Sequence, residues 1–525
     1  MGNKFMHGSS LLIGDNTVPG VKLPKELREY AQTILKACHD WGLEFYPTVV
    51  QLLTYDEISE VAAYGGFPVR YPHWSFGMQY EELQRGYEAQ AHKIYEMVIN
   101  NSPCYIYCLD SNTLLDHLTV IAHATGHNDF FKNNIHFSAT DTNMLNTMAN
   151  HASRIRKYMA RWGRERVTEF LDYLLRVDTL IDGASAWHAK VIKDRNIVDK
   201  RNYQYPRRLK VDPSRLYMDG YINTPEFKAR ENERAKDREL ADELGLFMDP
   251  VKDIFGFLRD NAPLKPWQQD IMSMIYDESM YFFPQRQTKV MNEGWASLTD
   301  SVIMAEQGYV SLGQKSHDAG IIEYAAHKMG VLGGKYSTNP YKLGYNIFCD
   351  IRKRWDKGQF GTEWEECTNF RKKEEWDTKA MLGKEKIFEV RKFYDDLTFI
   401  HEFFTEDFCR EQEYFEYKKY PSGETVLESH DYKKIKSILM ARHVNGGIPD
   451  IRLTEPNYRG KGYLMLEHQY EGRPLYEPYV RDVLVGLRFL WNNDVYLSTK
   501  GHDGADVIFE CFDNDPANVR IRAKK

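Results

Sequence analysis

Apolar residues in LPKELREYAQTILKACHDWGL (23–43) recur at steps of three and four, the period of a helix with one face turned inward. Similar cycling over Tyr80–Asn100 extends the helical expectation across Pro24 to Gly163. YGGFPVRYPHWSFGMQYEEL (64–83) interrupts it, because its glycines, prolines and crowded aromatics forbid a regular helix and predict an ordered loop or short turn segment. Burying each large side chain there is worth about 1.5–3 kcal/mol, so the loop should pack over something, with the wall of an active site as one candidate.

Farther along, Phe227 to Glu243 is rich in charge and poor in apolar positions, the pattern of a solvated helix or an insertion. Helices resume through WQQDIMSMIYDESMYFF (267–283) and should stop at Pro284, which cannot continue the hydrogen-bond ladder. They restart over QTKVMNEGWASLTDSVIMAEQ (287–307), and KEKIFEVRKFYDDLTFIHEFF (384–404) predicts one long helix. After it the segments shorten and alternate: EYFEYKKY, ETVLES, PDIRLTEP, GYLMLEHQY, DVYLST, DVIFECF and NVRIRA, interrupted by helical YKKIKSILMAR and YVRDVLVGLRFLW. The expected organisation is an extension at 1–23, a mainly α-helical core at 24–404 carrying a charged insertion near 227–243, and a small α+β domain at 405–525. No period of 20–50 residues repeats, so a solenoid is not expected.

The whole-chain numbers narrow the classes. A net charge of -7 over 525 residues disfavours a general polyanion-binding surface, leaving Arg207, Arg208 and Lys210 as a local basic patch and nucleic acid as no expected partner. Seven scattered cysteines without a C-x-x-C pair suit a reducing compartment, and the YIY between Cys104 and Cys108 reads as buried structure rather than a zinc knuckle. No apolar run approaches the roughly 20 residues of a membrane span. The N-terminus lacks a signal-peptide pattern and departs from a myristoylation signal at Met6, so neither secretion nor lipid anchoring is expected.

Chemistry concentrates in SNTLLDHLTVIAHATGHNDFFKNN (111–134), a helix with Ser111 or Asn112 as cap and Asn133 or Asn134 as stop. Asp116, His123, His127 and then Phe130 or Phe131 share one of its faces, and imidazoles four apart can aim at one metal ion. In H-E-x-x-H zinc hydrolases a glutamate follows the first histidine as general base; here Ala124 stands there. Gly126 permits another backbone or a substrate to come close. The competing reading is a pair of core histidines.

A zinc site wants three protein ligands and a water, or four ligands, so another helix must contribute. MNEGWASLTD offers Glu293, with Asp300 two turns on and Trp295 and Leu298 free to enter the core. That pairing of H-x-x-x-H with a distant glutamate resembles the ligand set of gluzincin-type zinc hydrolases; the alternative for Glu293 is an ion pair with Arg286 or Lys289. Glu323 and His327, four apart in DAGIIEYAAHKMG, are a further candidate pair, against an ordinary amphipathic helix. His151 reads as a core or capping residue, and Glu278, Asp300 and His327 are candidates for moving a proton. Arg70, Tyr71, His73, Trp74, Asp129, Asn292 and Trp295 are candidates for lining the cleft.

Taken together, YGGFPVRYPHWSFGMQYEEL, YEMVINNSPCYIY, VIAHATGHNDFFKNN, NAPLKPWQQDI, FFPQRQTKVMNEGWAS, NPYKLG and KIFEVRKFYDDLTFI resemble the stage V sporulation protein R (SpoVR) family over nearly the whole chain. The resemblance implies a cytoplasmic protein linked, in spore formers, to making the spore cortex, a peptidoglycan layer. It also implies a PrkA-type kinase-like AAA+ protein and a von Willebrand-like protein as partners. His123, His127, Asn292, Glu293, Gly294, Trp295 and His327 fall on the family's characteristic strings, as do Tyr71, Pro72, His73 and Trp74. Where the family usually has Y-W-H after M-N-E-G-W-A-S, this chain has Leu298, Thr299 and Asp300. Two functions are therefore expected in competition. One is a zinc-dependent hydrolase of amide or peptide bonds in cell-wall material, and the other a non-catalytic regulator or scaffold that keeps the same residues as a structural centre. Redox or di-metal carboxylate chemistry would want a Glu-x-x-His pattern that the site lacks.

Overall fold

A computed structural model describes residues 23–88, 96–185, 250–314, 316–333, 339–419 and 425–523. The expected extension (all but Leu23), the charged insertion at 227–243 and the trio Arg207, Arg208 and Lys210 lie outside the described residues. Two compact units divide the chain, one of residues 1–157 with 281–447, the other of 158–280 with 448–525. The expected change near 405 thus falls inside the first unit, and the C-terminal strands share theirs with a stretch of the helical region.

In the first unit, α1 (Lys25–Trp41) buries Leu27, Ala31, Ile34, Leu35, Cys38 and Trp41 on one face and ends at Gly42, whose φ of 108° favours glycine. Then come β1 (Thr48–Leu53), α2 (Tyr55–Ala63) behind a Thr54–Glu57 capping box, α3 (Trp74–Glu88), β2 (Glu96–Ile99) and β3 (Cys104–Leu109). The strands form a sheet in the order β1-β3-β2, with β1 parallel and β2 antiparallel to β3. This sheet adds three strands to the mainly helical expectation for Pro24–Gly163: TVVQLL and CYIYCL are β-branched and aromatic enough to pair. Helix α3 corrects the loop expectation for its second half, since the turn-forming residues cluster before Trp74 and Gly77 has open space around it.

Side-chain alternation gives the sheet two faces. Val50, Leu52, Val98, Ile106 and Cys108 join the main core, while Leu53, Met97, Ile99, Tyr105 and Tyr107 join a smaller one with Val61, Phe67 and Tyr281. By the same period of two, Glu96 falls on the face of Val98, and it stands opposite Cys108 in register.

Helix α4 (Leu114–Asn133) is capped by Thr113, whose hydroxyl accepts from Asp116 N, rather than by Ser111 or Asn112. It is buried on all sides from Leu115 to Phe131 save Asp116, so it is the central helix of the unit rather than an amphipathic surface one. The chain continues through α5 (Met144–Trp162), α6 (Arg164–Val177), α7 (Ile254–Asn261) and α8 (Pro266–Gln287). Helix α8 runs through Pro284 instead of stopping there, and the corner falls four residues later, where the Thr288 hydroxyl and N–H both donate to Pro284 O.

Helix α9 (Lys289–Asp300) passes into a π-helical turn, Ser301–Glu306, and is followed by α10 (His317–Leu332) and α11 (Pro340–Asp356). The single helix expected over 384–404 is two, α12 (Gly383–Phe393) and α13 (Asp396–Phe403), because Asp395 forms a capping box with Thr398. Small elements close the unit: α14 (Glu406–Glu411), the hairpin β4 (Glu416–Lys419) and β5 (Thr425–Ser429), and α15 (Tyr432–Ala441).

The second unit holds a five-stranded sheet built from β6 (Ile451–Tyr458), β7 (Tyr463–His468), β8 (Val495–Lys500), β9 (Asp506–Cys511) and β10 (Arg520–Ala523) in the order β10-β9-β8-β7-β6. Helix α16 (Glu477–Trp491) buries Val480, Leu484, Val485, Leu487 and Leu490, and it crosses α6 at Gly486, where a Cβ would come within 2.8 Å of Val177 Cγ1.

Candidate metal centre

Three close approaches set the geometry of α4, α9 and α11. A Cβ on Gly126 would meet Ala296 Cα at 2.8 Å, so that glycine admits the backbone of α9. A Cβ on Gly294 would meet the Gly344 carbonyl carbon at 2.3 Å, and one on Gly344 would meet Val290 O at 2.0 Å, so α9 and α11 touch backbone to backbone. Polar contacts fix the register. The buried Asp129 carboxylate accepts from Trp295 Nε1 at 2.9 Å, Arg391 Nη1 at 2.8 Å and Glu44 N at 2.8 Å. Asp396 accepts from Val290 N and Met291 N, both at 2.8 Å, at the start of α9. Asn128 ties Tyr46 and Thr48 to α4.

With the helices so placed, His123 and His127 stand one turn apart, ring centroids 4.8 Å from each other. His123 Nδ1 lies 2.9 Å from Asp300 Oδ2, and His127 Nδ1 lies 2.9 Å from Asn292 Oδ1. Because those oxygens accept, each Nδ1 carries the proton in a neutral ring and each Nε2 presents a lone pair. Both lone pairs face carboxylates. Glu293 Oε2 is 3.3 Å from His127 Nε2 and 3.8 Å from His123 Nε2, and Glu96 Oε1 is 3.6 Å from His123 Nε2. Glu293 Oε2 and Glu96 Oε2 are buried without a hydrogen bond. Donor atoms about 2.1 Å from a tetrahedral ion stand roughly 3.4 Å apart, so these spacings suit a shared cation better than direct hydrogen bonds.

Charge agrees with spacing. Asp300 also accepts from Lys328 Nζ at 2.9 Å and from the Tyr324 hydroxyl at 2.6 Å. Three carboxylates (Glu96, Glu293, Asp300) less one ammonium (Lys328) leave two negative charges beside neutral imidazoles, the complement of a divalent cation. Burial alone would lower the His123 imidazole, but Glu96, Asp300 and Glu293 outweigh it and push it up to about 10. Without a cation Nε2 therefore keeps a proton, and the neutral ring with its lone pair is the form that a bound cation would take in exchange for that proton. Burial would raise Glu293, yet the two imidazoles hold it well below the usual carboxylate range. Glu96 goes the other way: burial, with Glu293 and Asp300 nearby, holds it above that range against the pull of His123 and His127.

Of the residues singled out in the sequence, His123, His127, Asn292, Glu293 and Asp300 are brought together here. His327 is not: its Nδ1 lies 3.0 Å from Asp116 Oδ1, while Glu323 accepts from the Thr113 hydroxyl at 2.7 Å, both near the start of α4. Glu278 is buried on the part of α8 that belongs to the second unit. Asp129 and Trp295 pair with each other inside the core, and His151 is buried. In the aromatic loop, Phe67 packs on the sheet face opposite Glu96, Tyr71 is buried, Arg70 lies over the Tyr71 and Phe76 rings, and Trp74 is 61% exposed.

The helical period expected over Tyr80–Asn100 hides Glu96, which stands on a strand. The signal that would have found it is a lone carboxylate at an inward position of the short apolar strand EMVI. Tyr341 is hidden as well. Its ring lies parallel to His123, 6.2 Å away at 20°, with the Glu293 and Glu96 carboxylates the nearest charges to its hydroxyl. Nothing in NPYKLG marks that tyrosine for chemistry.

Residues 22–448 match the family model described as "SpoVR like protein", and residues 449–502 match the one described as "SpoVR-like C-terminal domain". The border between the matches lies within two residues of the unit boundary after Gly447. The chain is similar to "Uncharacterized protein YcgB" of Escherichia coli (strain K12), 26% identical over 522 residues that cover 92% of this chain and 93% of the relative. No solved structure matches it.

Proposed function

The chain belongs to the SpoVR family, and from that premise we propose that His123, His127 and Glu293 hold a divalent cation, zinc in the first instance, in a hydrolase of amide or peptide bonds. The observation that carries this reading is the pair of Nε2 lone pairs, freed by Asp300 and Asn292, that face two buried carboxylates at 3.3–3.8 Å. Zinc bound there would supply Lewis acidity to a carbonyl and to a water. Glu293 lies within 4 Å of both imidazoles and is taken as the third ligand; Glu96, 3.6 Å from His123, is the carboxylate left to take a proton from the attacking water. Asp300 and Asn292 orient the imidazoles through Nδ1. Glu278 and His327 have no part in this scheme.

Cell-wall peptides, and the spore cortex in spore formers, are the substrate class the family resemblance supports. A cytoplasmic setting and work alongside an AAA+ kinase-like protein and a von Willebrand-like protein rest on the same resemblance. No helix among the described residues is long and apolar enough to cross a membrane. One observation favours a second reading: Glu96, His123 and His127 offer ligand atoms that all lie within 4.8 Å of one another, so Glu96 can itself be a ligand. With Glu293 beside it the centre would be closed, as structural zinc sites are, and the protein would be a metal-stabilised regulator.

Metal analysis of protein purified without added metal tests the centre. Near-stoichiometric zinc, lost in His123→Ala and Glu293→Ala, is expected; folded wild-type protein without metal refutes it. Turnover of peptidoglycan fragments or peptides that disappears in Glu96→Gln with zinc retained separates the hydrolase from the regulator.

A further inference from the structure

With both imidazoles neutral, as ligation of a cation requires, the four groups that meet at the centre, two Nε2 atoms and the carboxylates of Glu96 and Glu293, are all acceptors. Yet a carbonyl under attack by water gathers negative charge on its oxygen, and a site that hydrolyses amides gains most from a donor aimed at that charge. Lys328 and Tyr324 are committed to Asp300, on the far side of His123. The Tyr341 hydroxyl is the donor on the acceptor side: its ring lies parallel to the His123 imidazole, 6.2 Å away, and the charges nearest its hydroxyl are those of Glu293 and Glu96.

Its position is fixed by the fold. Asn339 caps α11, its Oδ1 accepting from Tyr341 N at 3.0 Å, and Pro340 opens the helix. Tyr341 and Gly344 are three apart and share a helix face, so the contact that seats Gly344 on Gly294 carries Tyr341 over the neighbouring Glu293. The ring lies nearly parallel to the His123 imidazole.

Resting on the metal-centre reading, we propose that Tyr341 is a catalytic residue that donates its hydrogen bond to the substrate oxygen on which charge develops. When substrate is bound, the hydroxyl turns to that oxygen. The O–H bond stays intact, so no proton changes owner in this step.

The test uses the full chain loaded with zinc and acetohydroxamate as the probe, whose oxygens occupy the place of the substrate oxygen. In Tyr341→Phe we expect unchanged zinc content and thermal midpoint, and acetohydroxamate bound about tenfold or more weakly by calorimetry, as expected for losing a hydrogen bond to a charged group. Tyr345→Phe, one turn along the same helix, should bind it like the wild type. Equal affinity in wild type and Tyr341→Phe overturns the proposal. So does a fall in zinc content in Tyr341→Phe, which would make the hydroxyl a prop for Glu293 only. A zinc-loaded wild type that binds no acetohydroxamate overturns it too, by showing the centre closed. A wild type that takes up no zinc overturns the metal reading itself, an outcome distinct from the other three.

Discussion

Replacing Gly294 by alanine tests whether the contact between α9 and α11 holds the centre together. The new Cβ would lie 2.3 Å from the carbonyl carbon and 2.5 Å from the Cα of Gly344, and 2.7 Å from Tyr345 N, all backbone atoms. Restoring a contact of about 3.5 Å needs the helices to part by roughly 1 Å, since no flexible side chain can yield. Overpacking of this kind costs about 1–3 kcal/mol, with backbone on both sides placing it at the upper end, and alanine's better helix propensity returns up to about 1 kcal/mol. A net loss of about 2 kcal/mol is expected, read as a lower urea midpoint by far-ultraviolet circular dichroism. Zinc affinity should fall as well, because Glu293 is the adjacent residue. Gly330→Ala is the control: it lies in α10 with nothing within 4 Å of the new Cβ, so only the propensity gain remains. If Gly294→Ala is as stable as the wild type, or Gly330→Ala as damaging as Gly294→Ala, the account of this contact fails.

Asp300→Asn should keep the fold but weaken zinc binding 10–100-fold in chelator competition, because the carboxylate that orients His123 Nδ1 and balances Lys328 is gone. Arg391→Met leaves Asp129 as a buried charge without its cation and should cost about 3–5 kcal/mol of unfolding free energy. Asp396 gives a pH signature. Burial pushes its carboxyl up from 3.8 to about 8 in spite of the N–H groups of Val290 and Met291. The folded state therefore keeps a proton that the unfolded chain releases, and this contribution to stability is lost as pH rises from about 4 to 8. The stability of the wild type relative to Asp396→Asn should fall across that window, and a flat difference in urea titrations would contradict the assignment.

Much of the centre was legible because helical chemistry is local. His123 and His127 are one turn apart, and the spacing of Asn292, Glu293 and Asp300 along α9 is a property of that helix alone. Glu96 was hidden because its place depends on strand pairing: Glu96 faces α4 only through the register that sets it opposite Cys108. Tyr341 depends on a crossing of two helices at Gly294 and Gly344, which no single-segment period encodes. The two helices within 384–404 were hidden for a related reason, since Asp395 and Thr398 read as ordinary helical positions until their side chains cap a new start. Proline at 284 misled in the opposite direction, because a helix held by its surroundings tolerates one missing ladder bond.

The missing glutamate of the helix motif has a packing cause. Ala124 is fully buried and belongs to the main hydrophobic core with Leu118, Ile121 and Phe130. The residue after His123 therefore points into apolar surroundings, about 100° around α4 from the imidazoles. A glutamate there would be a buried charge rather than a base, while the sheet edge at Glu96 offers a carboxylate on the imidazole side. Ala124→Glu should therefore destabilise the protein by several kcal/mol through the added volume and the unpaired charge, and yield insoluble or metal-free chain. Restoring the familiar motif in this way should not rescue turnover in Glu96→Gln. A folded, zinc-loaded Ala124→Glu/Glu96→Gln double variant that hydrolyses peptides would show that position 124 can serve the centre, and the assignment of the proton acceptor to Glu96 would fall.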